Sequence, residues 1–144
     1  MAYKIFIDTN VFLDAFLERT PHWKDAEIIM KLAESKQLDL FTSANNLVNT
    51  MYVLRRQQLA TTQIIQILEL ILSYTQLSYT SNQSFKSALQ AGFNDLEDAI
   101  QYYTALDAGS IHYFITSDIK DYKKASIELP ALTPKQFIVI YKTN

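Results

Sequence analysis

The sequence predicts an α/β fold: a single three-layer domain with a central, mostly parallel sheet of about five strands and helices on both faces. Short, β-prone apolar runs alternate with longer segments of helical periodicity along nearly the whole chain, as in parallel α/β proteins. The 144 residues, 49% of them hydrophobic, are enough for one substantial core. No linker, repeat or low-complexity segment is visible, so residues 1–144 are expected to form one domain.

The predicted strands are short apolar runs followed by polar or turn-forming residues. The run Ile5-Phe6-Ile7 ends at Asp8 and suits a strand that is buried on both faces. The later strand candidates are Leu38 to Thr42, Gln76 to Thr80, His112 to Thr116 and Phe137 to Tyr141.

The predicted helices are recognised by apolar residues at three- and four-residue steps and by their end residues. Ser43 is a favourable N-cap, and Gly109 is typical of the position that follows a helix. The helical segments run from Val11 to about Glu18, His22 to Lys36, Ser43 to about Gln57, Thr61 or Thr62 through a stripe ending at Leu72, Asn82 or Ser84 to near Gly92, and Asn94 to about Ala108, with shorter turns at Asp121 to Ser126 and Thr133-Pro134.

The composition excludes several kinds of site. The chain has no cysteine, which rules out disulfides and thiolate zinc sites. No apolar run approaches the ~20 residues that span a bilayer, and no signal peptide is visible, so we expect a cytoplasmic protein without a membrane anchor. A net charge of -2 disfavours a broad non-specific footprint on nucleic acid but permits a local basic rim, for which the candidates are Arg55, Arg56, Lys120, Lys123 and Lys124.

Carboxylates follow two predicted strands and open one predicted helix. The first strand runs into Asp8-Thr9-Asn10, the fourth into Thr116-Ser117-Asp118, and Asp95-Leu96-Glu97-Asp98 lies in a first helical turn. Ligands of doubly wound sheets bind at the carboxyl ends of the strands, at the switch point. If the first and fourth strands are neighbours there, Asp8 and Asp118 face each other across one crevice.

Carboxylates this close together favour a hard divalent cation. Their negative charges repel unless something neutralises them, and Mg²⁺ takes oxygen ligands. Each acid also has a structural explanation, because Asp8 suits a helix N-cap, Asp95 and Asp98 suit the positive end of a helix dipole, and Asp118 suits a turn. All three acidic positions occur together in one alternating series of strands and helices, and that combination is harder to explain as caps.

Five short motifs occur in order along the chain, and together they resemble the PIN-domain family, many bacterial members of which are VapC-type toxins. The likeness covers nearly the whole chain, although no single motif is specific. The motifs are Phe6-Ile7-Asp8-Thr9-Asn10-Val11, Ser43-Ala44 with Tyr52-Val53-Leu54-Arg55-Arg56, Asp95-Leu96-Glu97-Asp98-Ala99, Thr116-Ser117-Asp118 with Asp121-Tyr122, and Leu132-Thr133-Pro134.

The resemblance implies a PIN-like fold and an endoribonuclease that hydrolyses RNA phosphodiester bonds with Mg²⁺ or Mn²⁺. It also implies RNA as substrate and, with the toxin analogy, an antitoxin protein as partner. The apolar stripe from Ile64 to Leu72 is a candidate surface for a homodimer, with a buried core role as the alternative. Hydrogen bonds from neighbouring polar side chains would orient the metal ligands. The ligands and catalytic carboxylates would be Asp8, Asp98 and Asp118, supported by Asn10 and Thr116, with Asp95 and Asp121 as further acids near the rim.

One position departs from the family pattern. The family usually has a glutamate on the helix after the second strand, and this chain has Asn49 there. An amide oxygen can bind Mg²⁺ but brings no charge, so the site would hold three core carboxylates and bind metal more weakly. The alternative function is therefore a catalytically weakened PIN-like domain that acts as an RNA- or protein-binding module.

A third hypothesis is a phosphatase or a phosphoacceptor receiver. Asp8-Thr9-Asn10-Val11 resembles the nucleophile loop of haloacid-dehalogenase enzymes, but Asn10 stands where those enzymes have a second aspartate. His22 and His112 are candidates for proton shuttles, and Tyr102 and Tyr103 are candidates for base stacking. The alternative in each case is a structural role, which is the usual one at such positions.

Overall fold

A five-stranded, all-parallel sheet forms the centre of this computed structural model, which describes residues 2–144. Met1, the first residue of the predicted domain, lies outside the described residues. The strand order is β3-β2-β1-β4-β5, so the direction of winding reverses between β1 and β4. The strands are β1 Lys4–Ile7, β2 Asp39–Ser43, β3 Thr75–Ser78, β4 Tyr113–Ile115 and β5 Ala131–Leu132.

Helices cover both faces of the sheet, which confirms the predicted three-layer α/β class. Along β1, Ile5 and Ile7 face one layer and Phe6 faces the other, because successive strand residues point to opposite sides. The first layer contains α1, α2 and α7, and α3 and α4 add Leu47 and Ile71 to its core, whereas the second layer contains α5 and α6. The helices are α1 Thr9–Leu17, α2 Trp23–Glu34, α3 Ala44–Arg56, α4 Thr61–Tyr74, α5 Asn82–Gln90, α6 Leu96–Asp107 and α7 Pro134–Thr143, with a 3₁₀ helix at Ile119–Tyr122.

The strands β1 and β4 are hydrogen-bonded neighbours, as the switch-point argument requires. Phe6 pairs in register with Phe114, and their stacked rings lie 5.5 Å apart between centroids. Because the strands are parallel and in register, Asp8 and the Thr116–Asp118 segment emerge at the same edge of the sheet.

The predicted fifth strand at Phe137–Tyr141 is wrong, because these residues lie in α7 and the edge strand is Ala131–Leu132. Thr133 begins a helix here: its hydroxyl accepts from the backbone N–H of Gln136, and the Gln136 side chain accepts from the backbone N–H of Thr133. Pro134 occupies the first helical turn, where its fixed φ is favourable. A run of five apolar residues does not distinguish a strand from a buried helix face, so these end signals decide.

We expect Thr133→Ala to destabilise the protein by about 1 kcal/mol, because α7 loses its N-cap hydrogen bond. Urea unfolding followed by circular dichroism measures the effect. The control is Thr61→Ala, which changes an exposed threonine in the first turn of α4. Equal unfolding midpoints for Thr133→Ala and the unmodified chain would contradict this capping role.

Within residues 2–144, no helix combines the length and the apolar character that a membrane crossing requires.

Candidate active site

A cavity of about 490 Å³ opens at the carboxyl end of β1, beside the switch point of the sheet. The first turns of α1 and α6 and one face of α3 enclose it. Four of its lining side chains are acidic: Asp8, Asp95, Glu97 and Asp98. The cavity therefore concentrates negative charge where α/β proteins bind ligands.

Asp8 is the most deeply buried of these acids, with 3% of its surface exposed. It is the N-cap of α1, and its side chain accepts hydrogen bonds from the backbone N–H of Val11 at 3.3 Å and from the Thr116 hydroxyl at 2.5 Å. Burial raises the pKa of Asp8 to about 7 despite these hydrogen bonds, and the charges of Asp118 and Asp98 raise it further. The N-cap explanation is correct for Asp8, yet a cap alone does not require a buried carboxylate next to two others.

Asp98 lies in the first turn of α6, half-buried in the cavity wall. Burial raises its pKa to about 6, and the neighbouring charges of Asp95, Asp121 and Asp118 act in the same direction. Asp95 is the exposed N-cap of α6 and accepts from the backbone N–H of Asp98 at 3.0 Å. The hydroxyl of Tyr122 faces Asp98 and lowers the pKa of its carboxyl. The Tyr122 hydroxyl is buried, and its contact with Asp98 falls outside standard hydrogen-bond geometry, as do all its other contacts within residues 2–144.

Asp118 lies beside this cavity rather than in its wall. It lines a neighbouring cavity of about 400 Å³ that shares Asn10 with the first, and its charge contributes to the raised pKa values of both Asp8 and Asp98. The Asn10 amide donates to Asp118 Oδ2 at 2.7 Å, and the backbone N–H of Asp118 donates to the Thr116 hydroxyl at 3.0 Å. Asp118 is therefore fixed in position near the two other carboxylates.

An ion pair between the partly exposed Arg19 and the buried Asp14 determines the orientation of Asn10. Arg19 donates to Asp14 Oδ1 at 2.9 Å and to the Asn10 side-chain oxygen at 3.2 Å, which leaves the Asn10 amide nitrogen to donate to Asp118. Ser117 donates to the other Asp14 oxygen. We did not identify Asp14 and Arg19 from the sequence, although Asp14 follows Asn10 by four residues and so shares its helix face.

The donor set suits a hard divalent ion, but its side chains do not yet converge. Among residues 2–144, no three acidic, histidine or cysteine side chains lie close enough to bind one ion in their present rotamers. Binding therefore requires at least one carboxylate to turn, and the half-buried Asp98 has room to do so. Gln101 supports a ligand at this position, because it lines the cavity, is only 4% exposed, and its side-chain oxygen has no hydrogen-bond donor among the described residues.

Asn49 also lines the cavity, at the position where the family pattern has glutamate. Its amide donates to Glu97 Oε1 at 2.5 Å, which links α3 to the start of α6. Tyr52 and Arg56 follow on the same face of α3 and line the cavity too. Sequence reasoning named Arg56 only as one of several basic candidates and did not identify Glu97, Tyr52 or Gln101 as site residues, since their roles depend on how α3 packs against α6.

Other candidates do not line this cavity. Tyr102 is buried in the second layer, where its hydroxyl donates to the carbonyl of Leu129 at 2.8 Å, so it is not a base-stacking residue. His112 precedes β4 at the opposite end of the strand and accepts from the backbone N–H of Lys4. Asp121 is exposed and lines a different cavity, together with the basic candidates Lys120, Lys123 and Lys124.

Comparison with known sequences identifies the family of this chain. A family model described as PIN domain matches residues 4–120. The chain is similar to Ribonuclease VapC1 of Aquifex aeolicus, with 27% identity over 97% of this chain and 96% of that protein.

The fold is similar to that of three solved proteins. PAE2754 from Pyrobaculum aerophilum matches with a TM-score of 0.65 and 14% identity over all of both chains. VapBC2 from Rickettsia felis, bound to a DNA fragment from its promoter, matches with a TM-score of 0.64 and 16% identity over 90% of this chain and 97% of that one. The sarcin-ricin loop cleaving toxin VapC20 from Mycobacterium tuberculosis matches with a TM-score of 0.63 and 16% identity over 87% of this chain and 98% of that one. The sequence match over most of the chain and the shared fold establish that the chain belongs to the PIN-domain family.

Proposed function

We propose that this chain is a cytoplasmic, metal-dependent endoribonuclease that hydrolyses RNA phosphodiester bonds and serves as the toxin of a toxin–antitoxin pair. The observation that carries the proposal is the grouping of Asp8, Asp98 and Asp118 at the switch point, with charges close enough to raise the pKa values of the first two. The similarity to Ribonuclease VapC1 supports the ribonuclease activity.

Asp8, Asp98 and Asp118 are the side chains that would hold Mg²⁺ or Mn²⁺. Such an ion polarises a phosphoryl oxygen and makes water a stronger nucleophile at neutral pH. The protein contributes the positions of the ligands: Thr116 fixes Asp8, and Asn10 fixes Asp118. Asp98 is half-buried, and its carboxylate would have to turn to complete the ligand set.

Two side chains on α3 are suited to bind the RNA strand. Arg56 is exposed at the cavity wall, where its guanidinium is available to a phosphate. Tyr52 is 61% exposed one turn earlier and offers an aromatic face to an unpaired base. We infer that the substrate enters along this face of α3, with its phosphate directed toward Asp8.

A cleavage assay tests the proposed activity. The purified chain, free of any bound inhibitor, is incubated with end-labelled single-stranded RNA in Mn²⁺ or in EDTA. We expect cleavage only with metal, and products without 2′,3′-cyclic phosphate, because water rather than the 2′-hydroxyl attacks. Asp98→Asn is expected to stop cleavage, whereas Glu69→Gln, at an exposed position on α4 that lines neither acidic cavity, is not. Cleavage that persists in EDTA, or no cleavage at any Mg²⁺ or Mn²⁺ concentration, would refute the proposal.

Thr116→Val tests the support that this threonine gives to the carboxylates. Valine has nearly the same shape but can neither donate to Asp8 nor accept from the backbone N–H of Asp118, so we expect cleavage to fall about 10- to 100-fold while the fold is retained. The matched control is Thr104→Val, which removes another buried threonine hydroxyl that bonds within α6 and to Thr80. Unchanged cleavage by Thr116→Val would show that these hydrogen bonds do not position the carboxylates.

Asn49 favours a second candidate function, a binding module with weakened catalysis. Because an amide adds no negative charge, a site with three core carboxylates would hold metal less tightly than one with four. Calorimetry distinguishes the two functions: RNA binding without Mn²⁺ binding favours the module, and binding of both favours the nuclease.

The apolar surface of α4 supports a protein partner. Ile64 and Ile71 are buried, whereas Ile65, Leu70 and Leu72 are between 43% and 50% exposed, so only one side of the predicted stripe belongs to the core. A relative in fold, VapBC2, was crystallised as a complex. We propose that a second copy of the chain covers this surface, and that a small antitoxin is a separate partner of the chain. Sedimentation of the purified chain alone tests the homodimer.

A further inference from the structure

The cavity contains an acid that none of the assigned roles uses. Glu97 lies in the first turn of α6, between the N-cap Asp95 and the proposed ligand Asp98. Although its residue surface is largely exposed, its carboxylate is turned back onto the protein, where Oε1 accepts from the Asn49 amide at 2.5 Å. This contact joins two helices through residues that are 48 positions apart in the sequence. An exposed glutamate gains little by ordering its side chain, so a contact of this kind calls for a role.

The contact places a negative charge where position 49 lacks one. Asn49 occupies the position of the family's usual glutamate, and its side-chain amide donates a hydrogen bond to the carboxylate of Glu97. The carboxylate of Glu97 therefore lies next to the place where a glutamate at position 49 would put its own. Glu97 lines the same cavity as Asp8 and Asp98.

An independent observation indicates a ligand at this wall of the cavity. Gln101 follows Glu97 by four residues on α6, so the two side chains share one helix face. Gln101 is 4% exposed, and its side-chain oxygen has no donor among residues 2–144 although it lies in the cavity wall. A buried amide oxygen without a donor is unfavourable, and a hydrated cation beside it would supply the missing hydrogen bond.

We propose that Glu97 is a fourth carboxylate ligand of the divalent ion and that Asn49 is the positioning residue that directs it into the cavity. This inference rests on the proposed metal-dependent function. Asn49 in place of the family's glutamate then does not leave the site one charge short, because Glu97 on α6 supplies the charge that α3 lacks.

Calorimetric titration of the full chain with Mn²⁺ tests the role of Glu97. We expect Glu97→Gln to weaken Mn²⁺ binding by at least about tenfold, since an oriented carboxylate is replaced by a neutral amide. The control Glu69→Gln removes an exposed carboxylate from the distant helix α4 and is expected to bind Mn²⁺ normally. If Glu97→Gln binds as tightly as the unmodified chain, the inference is overturned and the proposed function stands. If the unmodified chain binds no Mn²⁺, both are overturned.

A charge exchange separates metal binding from a structural role of Glu97. In the double variant Asn49→Glu with Glu97→Gln, the carboxylate returns on α3 and the amide moves to α6. We expect Mn²⁺ affinity to recover most of the loss caused by Glu97→Gln alone. No recovery, with both proteins folded by circular dichroism, would show that Glu97 does not act through its charge at the metal.

The positioning role of Asn49 has its own test. Asn49→Ala is expected to weaken Mn²⁺ binding by about three- to tenfold, and to cause no further loss when Glu97 is already glutamine, because its effect passes through Glu97. Additive losses in this double-mutant cycle would contradict the proposed role of Asn49.

Discussion

Replacing Asp8 with asparagine is expected to abolish RNA cleavage and, at the same time, to stabilise the metal-free protein. Asparagine keeps the shape of the side chain and an oxygen for the cap of α1, but it removes the charge at the centre of the site. Loss of residues that only orient metal ligands costs about 10- to 100-fold, so loss of a ligand itself should cost at least about 100-fold. A substitution that lowers activity and raises stability is typical of a buried functional charge.

The stabilisation depends on pH. Burial raises the pKa of Asp8 from 3.8 to about 7, so the folded protein holds this proton more tightly than the unfolded chain does. The resulting stability is fully present below about pH 4 and is lost as the pH rises through 7. Asparagine has no proton to lose. The variant therefore avoids a decrease of up to about 4 kcal/mol in the free energy of unfolding at pH 8.

Urea unfolding in EDTA at pH 5 and pH 8 measures this difference. We expect Asp8→Asn to be more stable than the unmodified chain at both pH values, by less than half as much at pH 5 as at pH 8. Asp14→Asn is the control, because Asp14 is equally buried but is paired with Arg19, and its replacement is expected to destabilise the fold. An Asp8→Asn protein that is less stable at pH 8 would show that burial of this charge is not costly.

The second large effect is stabilisation by metal. At a Mn²⁺ concentration of 100 times Kd, binding to the folded state alone adds about 2.7 kcal/mol. For a chain of this length, that raises the melting temperature by roughly 8–10 °C. Asp8→Asn and Asp98→Asn should lose most of this shift, and excess EDTA should reverse it in the unmodified protein.

A thermal scan with Mn²⁺ and with Mg²⁺ provides the measurement, and Ca²⁺ serves as the comparison for non-specific ionic effects. Equal shifts in the unmodified chain and in Asp98→Asn would place the ion elsewhere on the protein. No shift with either metal would favour the binding-module alternative.

The sequence predicted most of what positions the site. Ile5-Phe6-Ile7 and the His112 to Thr116 run carry strong local signals, and the order of strands and helices was sufficient to place Asp8 and Asp118 at one edge of the sheet. The resemblance to the PIN-domain family was confirmed. The error at Phe137–Tyr141 arose because apolar content was weighed above the helix-start signals at Thr133 and Pro134.

Sequence reasoning did not find the residues whose roles depend on tertiary packing. The Asn49–Glu97 contact joins two helices that are far apart in the chain, and Asn49 alone indicated only a missing charge. Gln101 has no local signal, since only its burial without a donor makes it informative. Arg19 reaches Asn10 through a turn after α1 whose C-cap, Glu18, adopts φ of 51°, a left-handed conformation that no sequence pattern indicated.

A crystal structure of the chain soaked in Mn²⁺ tests the central claim most directly, because anomalous scattering locates the ion. We expect one peak at the carboxyl end of β1, with carboxylate oxygens of Asp8 and at least one of Asp98 and Asp118 within about 2.2 Å of it. A saturating soak that gives no peak there, or that places the ion only at other acidic side chains, would contradict the account.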